Sequence, residues 1–261
     1  MQYKLVVLDM DGTLLNDNHG VSEANKEAIH RIKKMGVGVT VASGRTYESI
    51  YPFIEDLGID LPIIAANGAF IKNPLSGEVY YSESLPRHLA EEIIEYGQKH
   101  QFEMSLYLDA EVHTFNESMA KVHLELEKLQ AKLIDKFDSD KELYKIIYGQ
   151  TPEKIEEACE YLADKYKDSL YITRSADMCL DVMNMNVSKG NGLQQVMEKL
   201  HISPEEVIVM GNSFNDLPMF EVAGLAIAMD NAPQEVKNMA DFVTISNNDD
   251  GVAHALTKFI G

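Results

Sequence analysis

Near its start the chain runs Leu5-Val6-Val7-Leu8-Asp9-Met10-Asp11-Gly12-Thr13. A short, β-branched apolar run ends in two carboxylates one residue apart. Side chains two apart on an extended chain share a face, so Asp9 and Asp11 stand together just past a strand's carboxyl end. That is where open α/β sheets bind ligands. Adjacent carboxylates repel unless a cation or a shared proton separates them. Mg²⁺ suits such a place, since it is held by one or two carboxylates plus substrate phosphate oxygens. An aspartate can also attack phosphorus. Taken alone, the stretch reads equally well as a strand followed by an acidic turn, with Gly12 turning the backbone and Thr13 beside it. A calcium loop fits less well, because that pattern puts glycine sixth and flanks it with helices.

The alternation that follows constrains the fold. Ser22 is placed to cap a helix to about residue 35, with Ala28, Ile29, Ile32 and Met35 on one face and Gly36 ending it. A strand over 37–42, a helix over 46–57 and a third strand over 63–66 come next. Strand and helix in turn predict a parallel sheet. From 69 the rhythm changes. A hairpin pattern (70–72 with 79–82) leads into a helix to residue 100, strands over 103–108 and 111–115, and a helix over 118–133. A strand over 143–148, a helix over 152–166 and a strand pair over 169–174 and 178–182 complete that part. The parallel rhythm resumes with a helix from Lys189 to about residue 200 and an apolar strand over 207–210. The expectation is therefore α/β: a Rossmann-like parallel sheet flanked by helices from 1–82 and 187–261, interrupted by an α+β unit over 83–186.

Small polar or acidic groups sit at four predicted strand ends: Asp9/Asp11, Ser43, Asn67 and Asn212/Asn215/Asp216. In a parallel sheet these ends share one edge. Each has an ordinary reading too. Ser43, followed by Gly44, caps a helix as readily as it holds phosphate. Lys189 alone is a solvated surface lysine, or a point charge for a phosphoryl group. Arg45 reads as an exposed salt-bridge partner or a substrate contact. Asn67 fits a turn. Asp216 could orient Lys189, support a metal or cap a helix. His113 and His123 read as surface residues, and the histidines have no metal-ligand spacing. Nucleophile-elbow, Walker A and dinucleotide patterns are absent from the sequence.

Composition sets outer limits. Among 261 residues, 45% are hydrophobic, enough for a packed core. A net charge of −19, from 42 acidic and 23 basic residues, disfavours nucleic acid and anionic membranes as partners. A small phosphorylated metabolite needs only a local electropositive site. Cys159 and Cys179 form no C-x-x-C and read as buried apolar residues in a reducing compartment, hence a cytoplasmic location. No run of apolar residues spans a bilayer, and no signal peptide is recognised. A monomer or a small homo-oligomer fits equally.

Asp9-Met10-Asp11-Gly12-Thr13, Ser43 at a strand end, Lys189, and Gly211-Asn212-Ser213-Phe214-Asn215-Asp216 come in one order across essentially the whole chain. In this the sequence resembles the haloacid dehalogenase-like phosphohydrolases of the Cof type, which carry a large inserted cap. The resemblance implies Asp9 as nucleophile and Asp11 as general acid, then base. It implies that Ser43, Lys189, Asn215 and amides near Met10 and Gly44 hold the phosphoryl oxygens. Mg²⁺ would be bound by Asp9, the Asp11 carbonyl and Asn212, with Asp216, Thr13, Arg45 and Asn67 in support. One position departs from the family pattern: Asn212 stands where an aspartate is usual, which implies weaker metal binding. The resulting expectation is a Mg²⁺-dependent phosphatase of small metabolites, sugar phosphates among them. The alternatives are a phosphomutase and a weakened phospho-ligand-binding or regulatory protein.

Overall fold

A computed structural model describes residues 3–108, 111–137 and 140–261. In chain order its first part contains β1 (Leu5–Leu8), α1 (Glu23–Lys34), β2 (Gly38–Val41), α2 (Tyr47–Asp56), β3 (Ile63–Ala65), β4 (Phe70–Lys72) and β5 (Val79–Ser82). Then come α3 (Arg87–Lys99), β6 (Glu103–Leu108), β7 (Glu111–Thr114), α4 (Glu117–Val122), β8 (Lys132–Leu133) and β9 (Leu143–Gly149). They are followed by α5 (Pro152–Lys165), β10 (Leu170–Ala176), β11 (Cys179–Asn184) and α6 (Lys189–Leu200). The chain ends with β12 (Val207–Gly211), α7 (Leu217–Val222), β13 (Leu225–Ala228), α8 (Gln234–Lys237), β14 (Phe242–Val243) and α9 (Gly251–Phe259).

A five-stranded parallel sheet has the order β14-β13-β12-β1-β2. β1 is unexposed on both faces. Val6 and Leu8 pack with Ile29, Ile50 and Leu256 on one side; Leu5 and Val7 pack with Leu193, Val196 and Met219 on the other. A parallel sheet covered on both faces favours such uninterrupted apolar strands over alternating ones. Each fully buried side chain of this kind contributes roughly 1.5–3 kcal/mol, so β1 presents Asp9 from a firm base. The chain leaves β1 for β2 on one side, while β12 pairs on the other. The strand order thus reverses at β1, the point at which such sheets form a ligand crevice. Ser22 caps α1 by accepting from the Asn25 amide, as its position predicts.

Two elements depart from the sequence expectation. β3 does not extend the parallel sheet. It belongs to a three-stranded antiparallel sheet with β4 and β5, and meets the end of β2 only through an Ala42–Ile64 bridge. Ala66 and Asn67 both take left-handed backbone (φ 47° and 57°), which turns the chain back at once into the hairpin. The helix expected over 118–133 stops at Val122. A wider π turn follows over His123–Glu127, ended by left-handed Lys128, and β8 then pairs with β7. The buried His123 side chain, fixed by Ser105 and Glu127, accompanies that widening.

The remaining sheet has six strands, β10-β11-β9-β6-β7-β8, packed against α3 and α5 around Ile93, Leu106, Tyr148 and Leu162. Cys159 and Cys179 are free and only partly buried. His113 and His123 are buried, contrary to the surface reading. Among the described residues no helix is long and apolar enough to cross a membrane.

Candidate active site

Asp9 follows β1 and is buried. Lys189, the first residue of α6, is fully buried against it, its Nζ donating to Asp9 Oδ1 and Asp216 Oδ1 at 2.6 Å each. Asp216 accepts the Asn212 and Ser213 amides on Oδ2, at 2.8 and 2.9 Å. Asp216 thus orients Lys189 with one oxygen, and with the other it closes a capping box on the short turn that begins at Ser213. The surface reading of Lys189 fails, because Ser188 caps α6 and turns the lysine into the sheet edge. Burial works against its charge, but Asp216 and Asp9 together hold its pKa above the ordinary lysine value. Burial, then the Asp216 charge, pushes the Asp9 carboxyl up to about 7, with Lys189 opposing and Asp11 adding to the rise. Perturbed pKa values cluster at functional sites, where burial and like charges are arranged to shift them.

Asp11 is half exposed and held by Arg45, whose Nε and Nη2 donate to its two oxygens at 2.7 and 2.6 Å. Arg45 is nearly unexposed, so the exposed salt bridge expected of it becomes a buried guanidinium reaching a half-exposed carboxylate. Its Nη2 also reaches the Leu126 carbonyl at 3.3 Å, touching the six-stranded unit. Ser43 is buried, and Thr46, not Ser43, caps the next helix. Gly12 has φ +75°, and a Cβ there would collide with the Asn212 side chain. The glycine of the first motif thus serves both the turn and the close approach of Asn212.

The oxygens around Asn212 test whether a cation fits. One terminal atom of its amide stands 2.9 Å from the Asp11 carbonyl oxygen, 3.1 Å from Asp9 Oδ2 and 3.2 Å from Thr13 Oγ1. With nitrogen in that place, all three contacts are N–H···O hydrogen bonds. With oxygen there, acceptors converge from a carboxylate, a carbonyl and an amide. Octahedral Mg²⁺ at about 2.0–2.1 Å sets neighbouring ligand oxygens close to this far apart, so the donor set fits the ion. Among the described residues no group of three or more His, Cys, Asp or Glu could hold a metal, so this cradle depends on carbonyl and amide oxygens beside its carboxylate.

Asn67 joins the two parts of the molecule. Its amide donates to Asp181 Oδ2 at 2.7 Å and accepts from Asn215 Nδ2 at 3.0 Å. Lys145 on β9 donates to the Gly44 carbonyl at 2.6 Å and to Asp181 Oδ2 at 3.3 Å, and its ammonium lies 4.3 Å from the Tyr107 ring centre. The Met10 side chain is core. Sequence reasoning missed Lys145 and Asp181. Their signal is a lone charge in an otherwise apolar strand, Leu-Tyr-Lys-Ile-Ile and Cys-Leu-Asp-Val-Met. It also missed Tyr107, His123 and Glu127, which line the same cavity of about 320 Å³ as Asp9 and Asp11.

The sequence profile of the haloacid dehalogenase-like hydrolases matches residues 6–256. Phosphatase YwpJ of Bacillus subtilis (strain 168) is 29% identical over 287 residues, which cover 98% of this chain and 100% of that protein. The 5-amino-6-(5-phospho-D-ribitylamino)uracil phosphatase YwtE of the same organism is 30% identical over 286 residues, 98% of each chain. A solved haloacid dehalogenase-like hydrolase from Bacteroides thetaiotaomicron superposes with a TM-score of 0.86 at 30% identity, over 98% of this chain and 99% of its own. A strand-end carboxylate pair served by a buried lysine, carried on this fold and matched along nearly its full length, places the chain among the haloacid dehalogenase-like hydrolases as a phosphatase of that family.

Proposed function

We propose that the chain hydrolyses small phosphorylated metabolites, with Mg²⁺, through an aspartyl-phosphate on Asp9. The observation that carries this reading is the buried Asp9–Lys189–Asp216 triad beside the oxygen cradle of Asn212. Simple capture of phosphate needs cations and amides, and gains nothing from a carboxylate whose own charge is costly there. Residues 1–82 and 187–261 form the catalytic core in this reading, and 83–186 the cap that covers it.

An Asp9 oxygen attacks phosphorus and the ester P–O bond breaks. Asp11 gives a proton to the departing alkoxide. Water then attacks phosphorus, Asp11 takes its proton, and the Asp9–phosphorus bond breaks to release phosphate. Arg45 occupies both Asp11 oxygens in the resting arrangement, so proton transfer requires one of these two bonds to open. Lys189 spends two of its three N–H donors on carboxylates and offers the third to a phosphoryl oxygen. Ser43, Asn215 and the amides of Met10 and Gly44 hold the remaining phosphoryl oxygens. Asp9, the Asp11 carbonyl and Asn212 would hold Mg²⁺, which would supply neutralising charge to the transferring group when bound. Positioning and charge stabilisation supply most of the acceleration in such transfers.

Phosphate release from 4-nitrophenyl phosphate, with Mg²⁺ and with chelator, tests the proposal. Wild type turns over only with Mg²⁺, and Asp9→Asn falls by roughly a thousandfold or more, as loss of a nucleophile does. Absence of wild-type turnover across a wide Mg²⁺ range would favour the binding-protein alternative, for which Asn212 is the supporting residue. An isomeric phosphate ester with little free phosphate would favour the mutase.

A further inference from the structure

Among the described residues, two buried side-chain atoms lack hydrogen-bond partners: Arg45 Nη1 and Glu127 Oε2. They come from opposite walls of one space. Arg45 follows the second strand of the parallel sheet, and Glu127 ends the π turn of the inserted unit. Both side chains line the cavity that opens on Asp9 and Asp11. Buried unpaired polar atoms are rare and costly in native proteins, and each asks for an explanation.

The surroundings hold Glu127 in place rather than satisfy it. Its Oε1 accepts from the Tyr107 hydroxyl and from His123 Nδ1, both at 3.0 Å. His123 Nε2 lies 2.7 Å from the buried Ser105 hydroxyl, which fixes the ring from behind. One carboxylate oxygen is thus clamped while the other is buried without a partner. Burial alone would raise the pKa of Glu127, but His123 and then Arg45 and Lys145 outweigh it and keep the value below the ordinary one. Glu127 is therefore an ionised acceptor. Single π turns recur at functional sites, and here the turn sets Glu127 one wide turn from His123.

Arg45 is similarly divided. Nε and Nη2 are spent on Asp11 and the Leu126 carbonyl, and Nη1 remains. An arginine N–H requires an acceptor, and a carboxylate oxygen requires a donor; a hydroxyl is both at one atom. An ammonium group would suit Glu127 but face Arg45 and Lys145. A carboxylate would suit Arg45 but face Glu127, Asp11 and Asp181. The cavity, about 320 Å³, lies near the lower end of the roughly 300–1,000 Å³ usual for ligand sites, so the occupant is compact.

We propose that Glu127 and Arg45 together read a hydroxyl of the leaving group, close to the ester oxygen that Asp11 protonates, and so select uncharged polyol phosphates over aminoalkyl and carboxyalkyl phosphates. The proposal rests on the phosphatase reading of Asp9.

The test compares kcat/KM of the Mg²⁺-loaded full chain on glycerol 3-phosphate, 2-aminoethyl phosphate and carboxymethyl phosphate, with 4-nitrophenyl phosphate as the reference. In wild type the glycerol ester exceeds both charged esters by about tenfold or more, since a site built to bond a hydroxyl rejects groups that leave it unpaired. In Glu127→Gln the ratio of glycerol ester to reference falls about tenfold. The gap to carboxymethyl phosphate narrows, because a repelling charge has gone; a merely structural role for Glu127 would not produce that narrowing. The proposal is overturned if wild type hydrolyses the reference yet treats a charged ester as well as the glycerol ester. It is also overturned if a folded Glu127→Gln keeps the wild-type ratio. The wild-type series decides without any variant. If wild type hydrolyses nothing, including the reference, the phosphatase reading fails and this inference falls with it.

Discussion

The two walls of the cavity are finished to different degrees. On the core wall, Lys189 ties Asp9 to Asp216, and Asp216 in turn fixes the backbone after β12. On the cap wall, Glu127 is clamped by one oxygen and buried without a partner at the other. The contrast separates chemistry from recognition. Charges that must act on any phosphoryl group are preorganised by their own partners. The atom that would meet a particular leaving group waits for one.

The sharpest way to break this contrast is Lys189→Met. It leaves two buried carboxylates facing each other with no cation between them. Removing one partner of a buried ion pair costs about 3–5 kcal/mol. We expect a loss of that order in chemical denaturation, together with loss of phosphate release. A variant of near wild-type stability would mean that the core wall is less tightly interlocked than its distances indicate.

Asn212→Asp probes the cradle. It restores a negative charge beside Asp9 and should lower the Mg²⁺ concentration for half-maximal phosphate release by about tenfold, worth roughly 1.4 kcal/mol. No change, or a rise, would remove Asn212 from the metal site.

Titration offers a gentler probe. Asp9 in the folded, metal-free chain stands at about 7 against an ordinary 3.8. A carboxyl raised on folding stabilises while protonated. That contribution is complete below about pH 4 and is lost as pH rises through about 7. The metal-free Tm should therefore fall from about pH 4 to about pH 7 and level off above that. Mg²⁺ must displace the same proton, so the Tm increase that it causes should grow over the same interval. A Mg²⁺ effect that is flat with pH would contradict the Asp9 assignment.

The smallest effect is expected at the seam. Ser175 donates to Asp181 Oδ1 at 3.0 Å, and its carbonyl accepts from Ser213. Ser175→Ala removes only the first bond, leaving Asp181 its Asn67 and Lys145 partners. It should cost about 1 kcal/mol by thermal or chemical unfolding, far below Lys189→Met. Equal costs would erase the distinction between core and seam.

How much of this was legible in the sequence follows the same division. Strand ends, helix caps and motif order are local or periodic features, and they located Asp9, Ser43, Lys189 and Asn212 at one edge. Burial of Lys189 and Arg45 is a tertiary fact: each reads as a surface cation until its carboxylate partner is known. β3 was misplaced because left-handed Ala66 and Asn67 give no clear signal in a sequence that otherwise continues the alternation. The cap contributors were hidden for a further reason. His123 and Glu127 stand four apart and share a face on any helix, but such a pair reads as a surface contact until its burial is known.

The central claim is that Asp9 carries the phosphoryl group, and Asp11→Asn tests it most directly. With 4-nitrophenyl phosphate the leaving group needs no proton from Asp11, whereas the second step still needs a base. Rapid mixing with Mg²⁺ should give a burst of nitrophenolate matching the enzyme concentration. Mass spectrometry after acid quench should find one phosphoryl group on the peptide containing Asp9. Steady wild-type turnover, with neither a burst nor phosphorylated Asp9 in Asp11→Asn, would contradict the account.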